Sequence, residues 1–215
     1  AVHATLAHAQ VRFHTTPLVY AETILALSGE EHGTVIDVGS EVSDVIVLSK
    51  RAVAFVGSVP FGSHTLARSV ATKVGPAQSS LSDSMSRLVM FVKNELADKD
   101  MQAVAAALTD IAVPWQTAFN DVLATAGNTV PVPHRFFLVG EKDELLWFEQ
   151  VATTSSTRVS VPPTKVLPDF FKSTLTFGEG GVFDSSLALG ALFFHMRGSS
   201  NTAHAVNERV VYSIQ

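Results

Sequence analysis

The sequence predicts an α/β domain carrying an α-rich insertion, and three observations predict it. Between residues 34 and 59, three short β-branched runs are separated by turn residues, which reads as an antiparallel meander. Residues 63–128 then carry helical periodicity throughout. After them, HRFFLVG (134–140) reads as a buried strand leading through glycine into the helix ELLWFEQVA (144–152). The order βββ, helices, β, α, β, α fits an α/β fold with an insertion. Its 215 residues, 47% hydrophobic and 16% charged, are enough for a large core.

Taken in order, Ala4–Ala9 reads as a short helix and Val11–His14 as a strand. A helix is expected from Thr16-Pro17, with Thr16 capping, proline at the first turn and Gly29 as its stop. Leu18, Ala21, Ile24, Leu25 and Ser28 form its inward stripe. The meander strands are Val35-Ile36 ending on Asp37, Val45–Leu48, and Ala52–Val59 stopped by Pro60. Ser63 caps the next helix, which ends at Gly75-Pro76. An amphipathic helix is expected over 77–98, with Leu81, Met85, Leu88, Val89, Val92 and Leu96 on one face. Met101–Ile111 reads as a further helix, and Pro114 as the start of another that closes at Gly127. Past the strand–helix unit, Arg158–Val161 reads as a strand and Phe170–Phe177 as strand or part-helix. Glu179-Gly180-Gly181 is a turn and Phe183–Met196 an apolar helix; the tail, with ERVVYSI, reads as an added strand or a partner-binding peptide.

Composition excludes several functions. The formal charge of −5, with no basic stripe, excludes nucleic-acid binding as an expectation. Eight scattered histidines form no HxH or HExxH pair. Zero cysteines exclude disulfides, thiolate catalysis and Cys-zinc sites, and fit a cytoplasmic setting. No apolar run approaches the ~18–20 residues of a membrane span, and no signal peptide is evident. The chain opens mid-domain in character, so an N-terminal portion is expected to precede it. A serine hydrolase is disfavoured, because no G-x-S-x-G elbow occurs.

The chemistry-bearing feature is Asp37, an acid at a strand end followed at once by the Gly39-Ser40 turn. A carboxylate beside backbone N–H groups suits a metal-phosphate ligand. The plainer reading is a hairpin whose Asp and Ser serve the turn. Gly140-Glu141, between a strand and a helix N-terminus, is a second ligand position, with Glu141 also favourable to the helix dipole. Asp44 reads as a hairpin residue, Trp115, Trp147 and Phe148 as core, and His64 and His195 as structural.

Five landmarks resemble, in order, the second half of an actin-like ATPase, most closely the FtsA cell-division and PilM type IV pilus assembly proteins. VIDVGSEVSDVIVL (35–48) resembles the second phosphate motif, and VGSVPFGSHTLARSVA (56–71) the strand and helix after it. TPLVYAETILAL (16–27) is similar to the helix crossing from the first domain, RFFLVGEKDELLWFEQVA (135–152) to the adenosine motif, and FDSSLALGALFF (183–194) to the last helix. The resemblance implies a ribonuclease-H-like domain with a mixed sheet over 32–200, interrupted by a helical subdomain at about 63–128. Residues 1–31 would be the trailing piece of the first domain and 201–215 a tail. It also implies ATP with Mg as ligands, Asp37 as the catalytic and magnesium-side acid, and Gly39, Ser40, Glu41, Val42, Ser43, Gly140 and Glu141 as nucleotide-binding positions.

Departures from the family pattern all run against the nucleotide. Ser40 and Glu41 stand where glycines admit phosphates, Val42 and Ser43 where two threonines are common, and Glu141 where a second glycine is expected. At ~4 Å a glutamate and a phosphate charge repel by about 4 kcal/mol at an effective dielectric of 20. On the insert helix only Asp83 and Arg87 remain to meet the ribose and base. The expectation is a cytoplasmic scaffold for division or pilus assembly, peripheral to the inner membrane through protein partners, open to self-association, with a degenerate nucleotide site. The alternative is a competent ATPase or sugar-kinase-like enzyme whose first phosphate loop lies in a preceding half.

Overall fold

The computed structural model describes residues 14–74, 80–155, 159, 161–176, 183–199 and 210–211. The expected helix at 4–9, most of the strand at 11–14 and the turn at 179–181 lie outside them.

A five-stranded mixed sheet in the order β3-β2-β1-β4-β5 organises the chain. β1 (His32–Val38), β2 (Ser43–Ser49) and β3 (Ala52–Val59) form the expected meander. β4 (Phe136–Val139) runs parallel to β1 on its other side, and the two-residue β5 (Thr164–Lys165) runs parallel to β4. Alternation along these strands sends side chains to two separate cores. Ile36, Val38, Val45, Val59, Phe136 and Leu138 face one core. There they meet α2 (Ser63–Val74), α3 (Leu81–Val92), α4 (Asp98–Gly127) and α5 (Lys142–Ser155). Val35, Ile46, Leu48, Phe137 and Val139 face the other, against α1 (Thr16–Ser28) and α7 (Ser185–Ser199). The short α6 (Pro168–Phe171) closes that second core with Phe171.

The helix after residue 14 forms as expected, but Thr15 is its N-cap, and that side chain makes no capping hydrogen bond. Gly29 ends it in the left-handed conformation at φ 72°. Its buried side includes Tyr20 and Thr23 as well as Ala21, Ile24 and Leu25.

Two helix boundaries depart from expectation. The amphipathic helix is α3, capped at Ser80 by a reciprocal box with Asp83, and it stops at Val92. Asn94 takes the left-handed conformation at φ 58°, with Asn94 N–H donating to Phe91 O and Glu95 N–H to Met90 O. That is a Schellman stop, with asparagine where glycine is commoner. The helices expected either side of Pro114 are instead one, α4, of 30 residues. Proline inside a helix costs ~3 kcal/mol. Val104, Leu108, Ile111, Trp115, Phe119 and Leu123 make one buried stripe straight through it. Burying Trp115 and Phe119 alone contributes at least about 1.5–3 kcal/mol each, so packing wins.

Phe170–Phe177 resolves as both alternatives, a helical turn ending at Phe171 and then β6 (Leu175–Thr176). β7 (Val210–Val211), within the expected tail strand, pairs parallel with β6. Of the strand expected at 158–161, Val159 and Val161 carry none; Arg158 and Ser160 lie outside the described residues.

The β2–β3 turn places Lys50 and Arg51 both at positive φ, 51° and 59°. Two-residue hairpin turns need this geometry, which Asn-Gly adopts with least strain. Left-handed backbone costs ~1–2 kcal/mol at an ordinary residue. K50N/R51G is therefore expected to raise stability by about 1–2 kcal/mol, read as a higher urea midpoint at unchanged slope in dilute protein.

Candidate functional site

The expected positions converge on one edge of the sheet, at the carboxyl ends of parallel β1 and β4. Asp37 is in register with Val139, and Gly140 follows directly. In open α/β sheets that edge is where ligands bind.

Asp37 is held from the α1 side. The Tyr20 hydroxyl donates to Asp37 Oδ2 at 3.1 Å and lies 3.4 Å from Ser186 Oγ in the first turn of α7. Burial pushes the Asp37 carboxyl up to about 6, the Tyr20 hydrogen bond opposes this, and the charge of neighbouring Asp44 adds to it. Burial, then the Asp37 charge, pushes the Tyr20 phenol well above its ordinary value. Asp44 accepts from Ser58 Oγ at 2.6 Å, as a hairpin residue. Among the described residues no cluster of three metal-ligating side chains occurs.

The loop after β1 folds onto the start of α2. Gly39 N–H donates to Val42 O at 3.0 Å. Gly39 O and Ser40 O accept from the N–H groups of Ser63 and His64, at 3.0 and 2.8 Å. The leading donors of α2, which elsewhere make an anion site, are thus met by the loop's own carbonyls. Gly62 is what lets the two backbones approach: a Cβ there would stand 2.4 Å from Gly39 O and 2.5 Å from Ser40 C and O. Ser43, buried, donates to Phe61 O at 2.8 Å, while Val42 is 44% exposed.

Glu41 is not an uncompensated charge in the loop. Arg68 on α2 grips its carboxylate with both terminal nitrogens, at 3.0 and 2.6 Å, and His64 Nδ1 lies 3.3 Å away. The Arg68 hydrogen bonds hold Glu41 well below the usual carboxylate range. All three side chains are solvent-exposed, so the pairing fixes the loop's position more than it stabilises the fold.

At the second position Gly140 has φ 150°, and a Cβ there would meet Leu145 Cδ2 at 3.0 Å and Val38 Cβ at 3.1 Å. Glu141 immediately precedes α5, its carbonyl accepting from Glu144 and Leu145 N–H. Beyond it, α2, α3 and α5 enclose a cavity of about 240 Å³. Leu66, Met85, Leu88, Val89, Leu146 and Trp147 wall it, together with the polar Ser63, Asp143, Glu144 and Gln150. Burial raises the Glu144 carboxyl, and a hydrogen bond with Ser63 partly offsets this.

Asp83 and Arg87, the candidates for ribose and base, have partners within the insert. Asp83 belongs to the α3 capping box, and Arg87 lies 3.6 Å from Asp100. Trp115 and Phe148 are core, as read, and Trp147 is half-buried against it. Sequence reading missed Tyr20, Arg68 and Ser186. For Arg68 a signal existed: four residues after His64, it shares that helix face.

No protein-family model matches the sequence, and no curated protein matches it either. Solved structures do. The structure of a PilM-PilN type IV pilus biogenesis complex aligns at a TM-score of 0.53 and 13% identity, over 76% of this chain and 44% of that one. Ta0583, an archaeal actin homolog, aligns at a TM-score of 0.51 and 21% identity, over 83% of this chain and 54% of its own. The chain spans about half the length of these structures. With a mixed sheet, helices on both faces and the β1 acid and both glycine turns at one edge, the chain has the fold of an actin-like ATPase.

Proposed function

We propose that this chain is an actin-like domain that serves as a cytoplasmic assembly scaffold in type IV pilus biogenesis or cell division, with a degenerate nucleotide site. The observation that carries this reading is the hydrogen bonding at the β1 edge. Of the loop donors that would meet a phosphate, Gly39 N–H is taken up by Val42 O, and the adjoining α2 N-terminus is met by Gly39 O and Ser40 O. Where a magnesium-bound water would need Asp37, the Tyr20 hydroxyl is bonded to it. The 240 Å³ cavity between α2, α3 and α5 adds to this, since Asp143 and Glu144 line it and, among the described residues, no cation does. The residues at these positions therefore fit ATP and Mg poorly. A partner of the kind in the PilM-PilN complex, bound at the protein's surface, is the interaction this reading expects, with residues 1–31 trailing from a first domain.

A competent ATPase is the second reading, favoured by the place of Asp37, Gly39 and Gly140 at the carboxyl ends of parallel strands. Thermal unfolding of the full-length protein with millimolar ATP and magnesium separates the two. A ligand at ~100 times its dissociation constant stabilises by about 2.7 kcal/mol. The scaffold reading expects no shift, and a clear shift enlarged by Glu41→Gly would replace it with the ATPase.

A further inference from the structure

We propose that the outer edge of β3 is a self-association surface, pairing antiparallel with β3 of a second copy about a two-fold axis. β3 is the terminal strand of the five-stranded sheet, and among the described residues nothing pairs with its far side. Its eight residues, Ala52–Val59, span about 27 Å and include no charge and no proline. Val53 and Val56 are 37% and 47% exposed. Edge strands are ordinarily blunted by charge, proline or a bulge, because open N–H and C=O groups template pairing. The one device present is a register shift at Val47/Leu48, and Phe55–Val59 run in unbroken register with β2 beyond it.

The charges around this edge select the occupant and its direction. Lys50 and Arg51 form the turn at one end of the hairpin, and Asp44, opposite Ser58, lies at the other. Among the described residues none of the three belongs to an ion pair. Antiparallel pairing of two copies brings the basic turn of each toward the acidic end of the other, twice, and keeps the two basic turns apart. Parallel pairing would set like charges side by side. The arrangement is isologous and closes as a dimer. It is independent of the nucleotide site, and its failure would leave a scaffold with other partners intact.

Sedimentation of the full-length chain, from micromolar to millimolar, tests it alongside three variants. The wild type is expected to dimerise, with the Val53–Val59 amides exchanging more slowly as concentration rises. Val56→Lys, at an exposed position, should weaken the dimer by about tenfold or more while the circular dichroism melt stays in place. K50E/R51E should weaken it too, and adding Asp44→Lys to that variant should restore it. A wild type that stays monomeric at millimolar concentration overturns the proposal. A dimer that Val56→Lys leaves unchanged does so as well, because it forms elsewhere. Weakening by Val56→Lys with no response to the charge swap refutes the antiparallel arrangement, and pairing only with an extended segment of another protein refutes the second copy.

Discussion

Gly62→Ala is expected to destabilise the protein by about 3 kcal/mol or more, lowering its melting temperature by roughly 6–12 °C for a chain of this size. The added Cβ would stand 2.4–2.5 Å from backbone atoms of Gly39 and Ser40. Neither partner is a flexible side-chain end, so either the β1–β2 loop or the α2 N-terminus must move. Moving the loop breaks the Gly39 O and Ser40 O bonds to Ser63 and His64 N–H and exposes buried Ser43. Gly190→Ala is the control: nothing lies within 4 Å of its would-be Cβ, and alanine favours the α7 helix. Differential scanning calorimetry of both variants checks the contrast. Equal, small effects would mean that the loop gives way readily and is no fixed cradle.

The second large effect is a pH-dependent gain from Asp37→Asn. The folded-state carboxyl is raised from the model-compound value of 3.8 to about 6, chiefly by burial. The ionised form is therefore disfavoured in the folded state. Asp37's contribution to stability therefore falls as pH rises from about 4 to about 6 and is level above that. Asparagine keeps an acceptor for Tyr20 and carries no charge. The variant should match the wild type near pH 4 and exceed it above pH 6 by up to about 3 kcal/mol. Urea titrations across that range measure the difference. Tyr20→Phe should act in the opposite sense above pH 6, by about 1.5–3 kcal/mol, because it strips a hydrogen bond from a buried charge. A gain from Asp37→Asn that does not change with pH would show that the acid is not strained by its surroundings.

Asp37→Asn also bears on function. Were Asp37 a magnesium ligand, the substitution would take that ligand from the metal, so metal-dependent stabilisation by nucleotide should vanish in the variant. The proposed scaffold instead gains stability and keeps its surfaces.

The meander was legible because its signals are local. β-branched runs, the Lys50-Arg51 turn and Pro60 each act within a few residues, and the strands fall at 32–38, 43–49 and 52–59. The same holds for the Gly29 stop and the strand–glycine–helix unit at Gly140. Where local signals compete with packing over distance, the sequence misled. Pro114 reads as a boundary, yet the apolar stripe from Val104 to Leu123 carries the helix through. Asn94, which stops α3 six residues before the expected end, is no stronger a signal than many asparagines that stop nothing.

By itself, then, the sequence determined the α/β class, the order of its elements, and the position of Asp37, Gly39 and Gly140 in that order. Tertiary structure alone decided what surrounds them. Tyr20, seventeen residues away on α1, reaches the Asp37 carboxylate, and Arg68, twenty-seven residues away on α2, takes up the charge of Glu41. Hydrogen bonds and burial at such separations depend on how helices lie on the sheet, and no periodicity along the chain encodes that. The sequence could name the acid; only the folded chain shows that a tyrosine holds it.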